Sequence, residues 1–225
     1  MNAMIASILV TAIFLTNICP SVSFQPPAAP VPPTGPTHNL LSLISGPDTS
    51  NRDVRREINE LMKLGKGFDS DTVQGRWIHV WTISSKKSPK SEGIFIGNDK
   101  KMHGKEQSNF PTPQTDKFYN LIYTRRGNGK LTVVDTYQPV REGFTKTADG
   151  RVTLRRVMCD VTSAYFKYGR LPSIPLPIRL KGGFLDFLYL DNNVRVTRGN
   201  LGGLFVHVRE DVVREYWGDC WVANE

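Results

Sequence analysis

The chain has 225 residues, enough for one domain with a real core and a presequence. Its 39% hydrophobic and 22% charged residues are those of an ordinary soluble protein, and a net charge of +8 with a pI near 9.5 favours acidic partners such as nucleic acid or an anionic membrane surface. No RNA-binding, zinc-finger or helix-turn-helix wording surrounds the basic pairs Lys86-Lys87, Lys100-Lys101, Arg125-Arg126 and Arg155-Arg156, so nucleic acid is set aside and the pairs read as solvated loops and strand edges.

The first 23 residues carry no charged side chain. Residues 4–18 form an apolar run shorter than the ~20 residues of a membrane span. Pro20 and the small-x-small pattern Ser21-Val22-Ser23 follow, so residues 1–23 read as a signal peptide cleaved before Phe24, with an uncleaved anchor as the alternative. Residues 24–47 are Pro-rich, contain Ser and Thr and have no acidic residue before Asp48, as in a plastid transit peptide.

Two helices are predicted next. Residues 39–45 stop at the breaker pair Gly46-Pro47. Residues 53–64 place Val54, Ile58, Leu61 and Met62 at helical spacing, with Asp53 as cap and Arg56 and Glu60 as an exposed pair. This helix is expected to cover one end of a β core.

From Gln74 onward the pattern is strand after strand, predicted at 76–83, 93–96, 117–123, 131–137, 151–167, 178–190, 194–197 and 204–209. No long helical period separates them, so the sheet is expected to be antiparallel, and about eight strands in one domain point to a closed β-barrel. The parity shift between Val152, Leu154 and Val157, Cys159 predicts a bulge near Arg155-Arg156. Residues 184–210 hold three apolar runs around the turns Asp191-Asn192-Asn193 and Arg198-Gly199-Asn200, a β-meander.

The chemistry-bearing residues are sparse. Cys19, Cys159 and Cys220 match no metal spacing; a Cys159–Cys220 bridge stays open beside free thiols. His38, His79, His103 and His207 have no metal spacing, no Gly-x-Ser-x-Gly elbow occurs, and Gly127-Asn128-Gly129 lacks the rest of a nucleotide-binding motif. No cofactor or metal is implied, and nothing marks an enzyme. Alternation of the first strand puts Trp77, His79 and Trp81 on one face, where His79 is the first candidate for contact with a ligand head group. Tyr119, Tyr123, Phe184, Phe187 and Tyr189 are further candidates for a lumen wall, a reading that core packing would also satisfy. Asp191 with Arg195 or Arg198 suggests an ion pair fixing the hairpin, or else a phosphate or sulfate head-group site.

The wording of the last block resembles a known family. Tyr189-Leu190-Asp191, Val194-Arg195-Val196, Arg198-Gly199 and Leu204-Phe205-Val206 resemble the C-terminal signature of the plastid lipid-associated proteins, or fibrillins. The resemblance covers residues 38–210, opens its first strand at Gly75-x-Trp77 and includes the Pro-rich crossing at 171–177, leaving 211–225 as a C-terminal tail. It implies a mainly β, lipocalin-like antiparallel barrel with one or two N-terminal helices, whose lumen takes an apolar lipid or isoprenoid, on plastoglobules or thylakoids. It also implies that Trp77 points inward under an Arg, with Arg195 and Arg198 the candidates, and that Gly75, Asp191 and Gly199 are structural. His79 and Trp81 depart from the family's pattern, as does the Lys-rich loop 86–115. A signal peptide followed at once by Phe resembles the bipartite presequence of algae with red-derived secondary plastids. Two rival functions remain: a scaffold or activator of an isoprenoid-quinone enzyme, with a filled barrel, and a lipid or pigment isomerase using His79.

Overall fold

A computed structural model describes residues 35–46, 48–85, 105–109, 117–123, 129–140, 145–146, 152–153 and 155–217; at 105–109, 123, 145–146 and 152–153 the backbone alone is described. The presequence at 1–34, the expected strand at 93–96, Cys19, His103, Cys220 and Trp221 therefore lie outside the described residues.

The described chain opens with helices α1 (Pro36–Ser45) and α2 (Asn51–Lys63). Proline in the first turn starts α1 at Pro36, inside the stretch expected to belong to the presequence. The cap of α2 is Ser50 rather than Asp53: the Ser50 hydroxyl accepts the Asp53 N–H at 3.2 Å, and Asp53 puts a carboxylate in the first turn. Arg56 pairs with Asp53 and Glu57, not with Glu60, which holds Lys63 instead.

Strands β1 (Gly75–Ile83), β2 (Lys105–Asn109), β3 (Lys117–Tyr123), β4 (Gly129–Pro139), β5 (Thr145–Lys146), β6 (Val152–Thr153), β7 (Arg156–Tyr168), β8 (Ile174–Leu176), β9 (Leu180–Leu190), β10 (Val194–Gly199) and β11 (Leu204–Arg209) follow, and α3 (Glu210–Trp217) ends the described chain. Strand β2 falls in the loop expected at 86–115; its sequence Lys-Glu-Gln-Ser-Asn has no apolar alternation to reveal it. The segment expected to be a tail begins with α3, whose Val212 and Val213 are buried.

All pairings are antiparallel, in the order β4-β3-β2-β1-β11-β10-β9-β7-β8, and β4 also pairs with β7 from Gly129↔Tyr168 to Pro139↔Val157. The closed barrel expected from the sequence is met only approximately: these strands form one antiparallel sheet that is not closed into a regular barrel, and β8 ends it against residues 164–166 of β7. The bulge expected near Arg155-Arg156 is displaced. Residues 152–153 form a separate ribbon with β5, and β7 shifts register between Cys159 and Val161, where it meets β9.

Two apolar clusters result. One joins β1, β9, β10 and β11 to all three helices through Leu40, Leu41, Ile58, Leu61, Val206 and Val213. The other contains Phe68, Val73, Trp77, Val157, Phe187 and Leu190. Among the described residues no helix is long and apolar enough to cross a membrane.

Candidate functional site

The second cluster is the candidate interior. Phe68 lies edge-on to Phe187 at 5.1 Å and to Tyr137 at 5.9 Å, so aromatic rings from the segment before β1, from β4 and from β9 meet in the middle. With Phe118 of β3, Val157 of β7 and Arg195 of β10 they surround a void of about 10 Å³. That is room for about one water, against the roughly 300–1,000 Å³ of a small-molecule pocket.

Trp77 belongs to the same cluster. It is fully buried and its indole N–H donates to the Val73 carbonyl at 2.9 Å. Two guanidinium groups approach its ring, Arg209 at 4.0 Å and Arg195 at 5.1 Å from the centroid. Arg195 is the Arg expected there. It is 2% exposed, and burial together with the nearby Arg209 charge pushes its pKa down to about 9, which leaves it a cation at neutral pH. Arg198 is elsewhere: its Nη2 donates to Asp186 at 2.7 Å. Arg209, which the sequence reading missed, also donates to the carbonyl oxygens of Gln74, Thr72 and Asn192. Gly75, at φ 102°, sits beneath that guanidinium, where a Cβ would collide with it.

The shared face of Trp77, His79 and Trp81 does not hold. Strand β1 shifts register against β11 between His79 and Trp81: His79 pairs with His207, Trp81 with Val206. The extra residue turns Trp81 onto the face covered by the helices, where it packs on the first cluster and donates to Asn51 of α2 at 3.0 Å. His79 is half-buried, stacked on His207 at 5.0 Å, with Nε2 2.9 Å from the Trp81 carbonyl oxygen and 2.8 Å from the Thr82 hydroxyl. Its nitrogen is engaged with its own strand.

Strand β9 behaves similarly. Against β10 its register shifts, Val196 pairing with Tyr189 and Thr197 with Phe187, which sends Phe187 to the interior cluster and Tyr189 to the helix-covered one. Tyr189 donates its hydroxyl to Asp191 at 2.7 Å and lies 3.3 Å from the Thr37 hydroxyl of α1; burial pushes its pKa up. Phe184 is half-buried under Arg156, 3.9 Å from the ring centroid. Tyr119 is half-buried beside Phe118, whose ring is the one lining the interior void. Tyr123 is placed in β3 by its backbone only.

The Asp191 reading is also corrected. Its Oδ1 accepts the backbone N–H groups of Asn193 at 2.8 Å and Val194 at 2.7 Å, and its Oδ2 accepts the Tyr189 and Thr37 hydroxyls, so it fixes the turn without an Arg. Arg195 is buried and Arg198 is held by Asp186, so these three do not converge on a head-group site. Gly199 lets β10 pass the Phe205 ring, which a Cβ would meet at 3.2 Å.

Two buried carboxylates were missed. Asp186 is 3% exposed and accepts from Arg156 at 2.7 and 3.2 Å and from Arg198; its burial alone would raise its pKa, but these donors and their charges lower it. Asp135 is 5% exposed, and burial pushes its pKa up to about 6 against the opposing hydrogen bond from Asn120 at 2.6 Å. The signal for both was an Asp inside an apolar strand, Leu185-Asp186-Phe187 and Val134-Asp135-Thr136. Cys159 is a free thiol whose pKa burial and the nearby Asp135 and Asp160 push up to about 12, an inert group at neutral pH.

Outside the strands, an open cleft of about 590 Å³ between α2 and the end of β1 is lined by Asn51, Arg52, Arg55, Arg56, Asn59, Ile83 and Ser84. Its charge is partly cancelled, because Arg56 is paired with Asp53 and Glu57. Among the described residues no group of His, Cys, Asp and Glu is arranged to hold a metal ion.

No protein-family model matches the chain, and no solved structure matches it. Among curated proteins it is similar to the probable plastid-lipid-associated protein 12, chloroplastic, of Arabidopsis thaliana, at 29% identity over 161 residues covering 65% of this chain and 35% of that protein. The chain thus spans about a third of the length of that relative.

Proposed function

We propose that this is a plastid lipid-associated protein of the fibrillin family, non-catalytic, whose antiparallel sheet approximates a lipocalin-like barrel and which associates with apolar lipid or isoprenoid at plastoglobule or thylakoid surfaces. The observation that carries the reading is the similarity to the chloroplastic plastid-lipid-associated protein. The antiparallel sheet, with an Arg-covered Trp77 in its interior cluster, agrees with the lipocalin-like expectation. In this reading the residues ahead of α1 deliver the chain to the plastid, since α1 itself is packed into the core, and the net charge of +8 draws the protein to anionic lipid.

The interior has to rearrange to take a ligand. Its void admits about one water, so an isoprenoid tail enters only if rings such as Phe68, Tyr137 and Phe187 move aside. The same observation favours a second reading, a scaffold or activator of an isoprenoid-quinone enzyme with a filled barrel. Organic extraction of the protein purified from its own cells, followed by mass spectrometry, separates the two. An apolar molecule recovered in proportion to the protein supports a ligand; a co-purifying enzyme with no extractable lipid supports the scaffold. His79, tied to Trp81 and Thr82, gives the isomerase alternative no further support.

A further inference from the structure

Among the described residues, the largest group of exposed apolar side chains in sequence lies where β7 passes through β8 into β9. Tyr165 and Tyr168 are 41% and 53% exposed, Leu171 and Ile174 58% and 57%, Ile178 36% and Leu180 64%. These residues sit within sixteen consecutive positions, whereas Leu64 and Leu201, the other exposed large hydrophobics among the described residues, stand apart in sequence. Scattered exposed apolar residues are ordinary; a concentration of them marks an interaction surface.

The charges within residues 165–181 have one sign, and the Asp160 carboxylate at the border is engaged with the Gly182 N–H at 2.8 Å. Lys167, Arg170, Arg179 and Lys181 are all exposed, and between Asp160 and Asp186 the sequence has no acidic residue. The backbone there is also unsuited to recruiting another strand. Strand β8 lies at the edge of the sheet, bonded to β7; Pro175 removes an N–H donor within it, and Pro172 and Pro177 remove one on either side of it. Tyrosines with a polar tip, aliphatic residues and a cationic rim are the composition of a segment that rests at a lipid–water boundary, aliphatic groups among the acyl chains and cations among the head groups.

From this juxtaposition we propose that the β7–β8–β9 turn region is the surface by which the protein docks on an anionic lipid surface. The proposal rests on the lipid-associated reading above and gives that association a place. Trp217, an aromatic near the end of the described chain, packs on the helix-covered cluster and takes no part in this surface.

Flotation of the full chain tests it, with vesicles of phosphatidylcholine alone and of phosphatidylcholine mixed with phosphatidylglycerol. Wild type is expected to float with the mixed vesicles and to be released by salt. The triple substitution Leu171→Ser, Ile174→Ser, Leu180→Ser is expected to lower binding about tenfold or more, because binding scales with the apolar area inserted. Lys167→Gln, Arg170→Gln, Arg179→Gln, Lys181→Gln should abolish the preference for phosphatidylglycerol. All seven positions are exposed, so the melting temperature of both variants should match wild type. If wild type floats and both variants float equally well, the patch is overturned while lipid association stands. If wild type floats with neither vesicle, the patch and the surface association fall together. If wild type is instead a dimer that the triple substitution dissociates, the patch is an interface between copies and the proposal is overturned.

Discussion

Arg209 lies over Trp77, its guanidinium carbon 4.0 Å from the ring centroid, and so joins the last strand to the first. The contact is more than a ring interaction. The same guanidinium donates to backbone carbonyls at Thr72, Gln74 and Asn192, so one side chain ties the segment entering β1 to the β9–β10 turn. Arg195 approaches the same ring from β10, 5.1 Å from its centroid.

Trp77→Ala should therefore destabilise the fold by about 3–5 kcal/mol, the usual cost of deleting a buried Trp. Denaturant unfolding followed by circular dichroism measures it. A change below about 1 kcal/mol would mean that the ring does not hold this part of the sheet together.

Gly75→Ala should cost at least about 1 kcal/mol, since a side chain is strained at φ 102° and its Cβ meets the Arg209 guanidinium. The two causes separate in a double-mutant cycle. In an Arg209→Met background the collision with the guanidinium is gone and only the backbone strain remains, so the cost should fall. Equal costs in the two backgrounds would show that Arg209 does not lie above Gly75 in solution.

Asp135 makes stability depend on pH in a definite direction. Its folded pKa of about 6 lies above the ordinary 3.8, so between these values the folded state holds the extra proton and stability falls as pH rises. Asp135→Asn removes the buried charge. It should be more stable than wild type by on the order of 2–3 kcal/mol at about pH 7, with the difference vanishing near about pH 4. Asp186 has the opposite sign, because its lowered folded pKa contributes stability that is lost as pH falls through it. Melting temperatures across the acid range check both, and a wild-type curve parallel to that of Asp135→Asn from about pH 4 to 7 would refute the first.

The elements were legible where residues alternate or repeat at helical spacing. Residues 76–83, 117–123, 131–137, 194–197 and 204–209 appear as strands with ends shifted by at most two residues. What was not legible is which face a residue takes. One extra residue in β1 separates Trp81 from Trp77, and one in β9 separates Tyr189 from Phe187, because each bulge reverses the alternation beyond it. Both strands carry apolar residues on both faces, since one face packs in the cluster with the helices and the other in the cluster with Phe68 and Val73, so hydropathy carries no trace of the shift. Trp81 correspondingly should report on α2: Asn51→Ala should change its emission, and Trp81→Phe should remove that change. An Asn51→Ala response that survives Trp81→Phe would place the reporter elsewhere.

The candidate site was legible in part. Gly75-x-Trp77 with Arg195 was visible through the family resemblance, whereas Arg209 lay in a strand end whose last residue reads as solvated. Asp191 was correctly a turn residue, but its partners are N–H and hydroxyl groups of its neighbours rather than an Arg. Local hydrogen bonding of Asp side chains outcompetes a distant cation because the donors are already in place two and three residues on.

The claim that the protein associates with plastid lipid is tested most directly by fractionating plastids isolated from the cells that make it and following the chain with an antibody. The account predicts recovery with low-density lipid particles or thylakoid membranes, and release from them by high salt. Recovery in the soluble fraction of the plastid, or outside the plastid altogether, would contradict it.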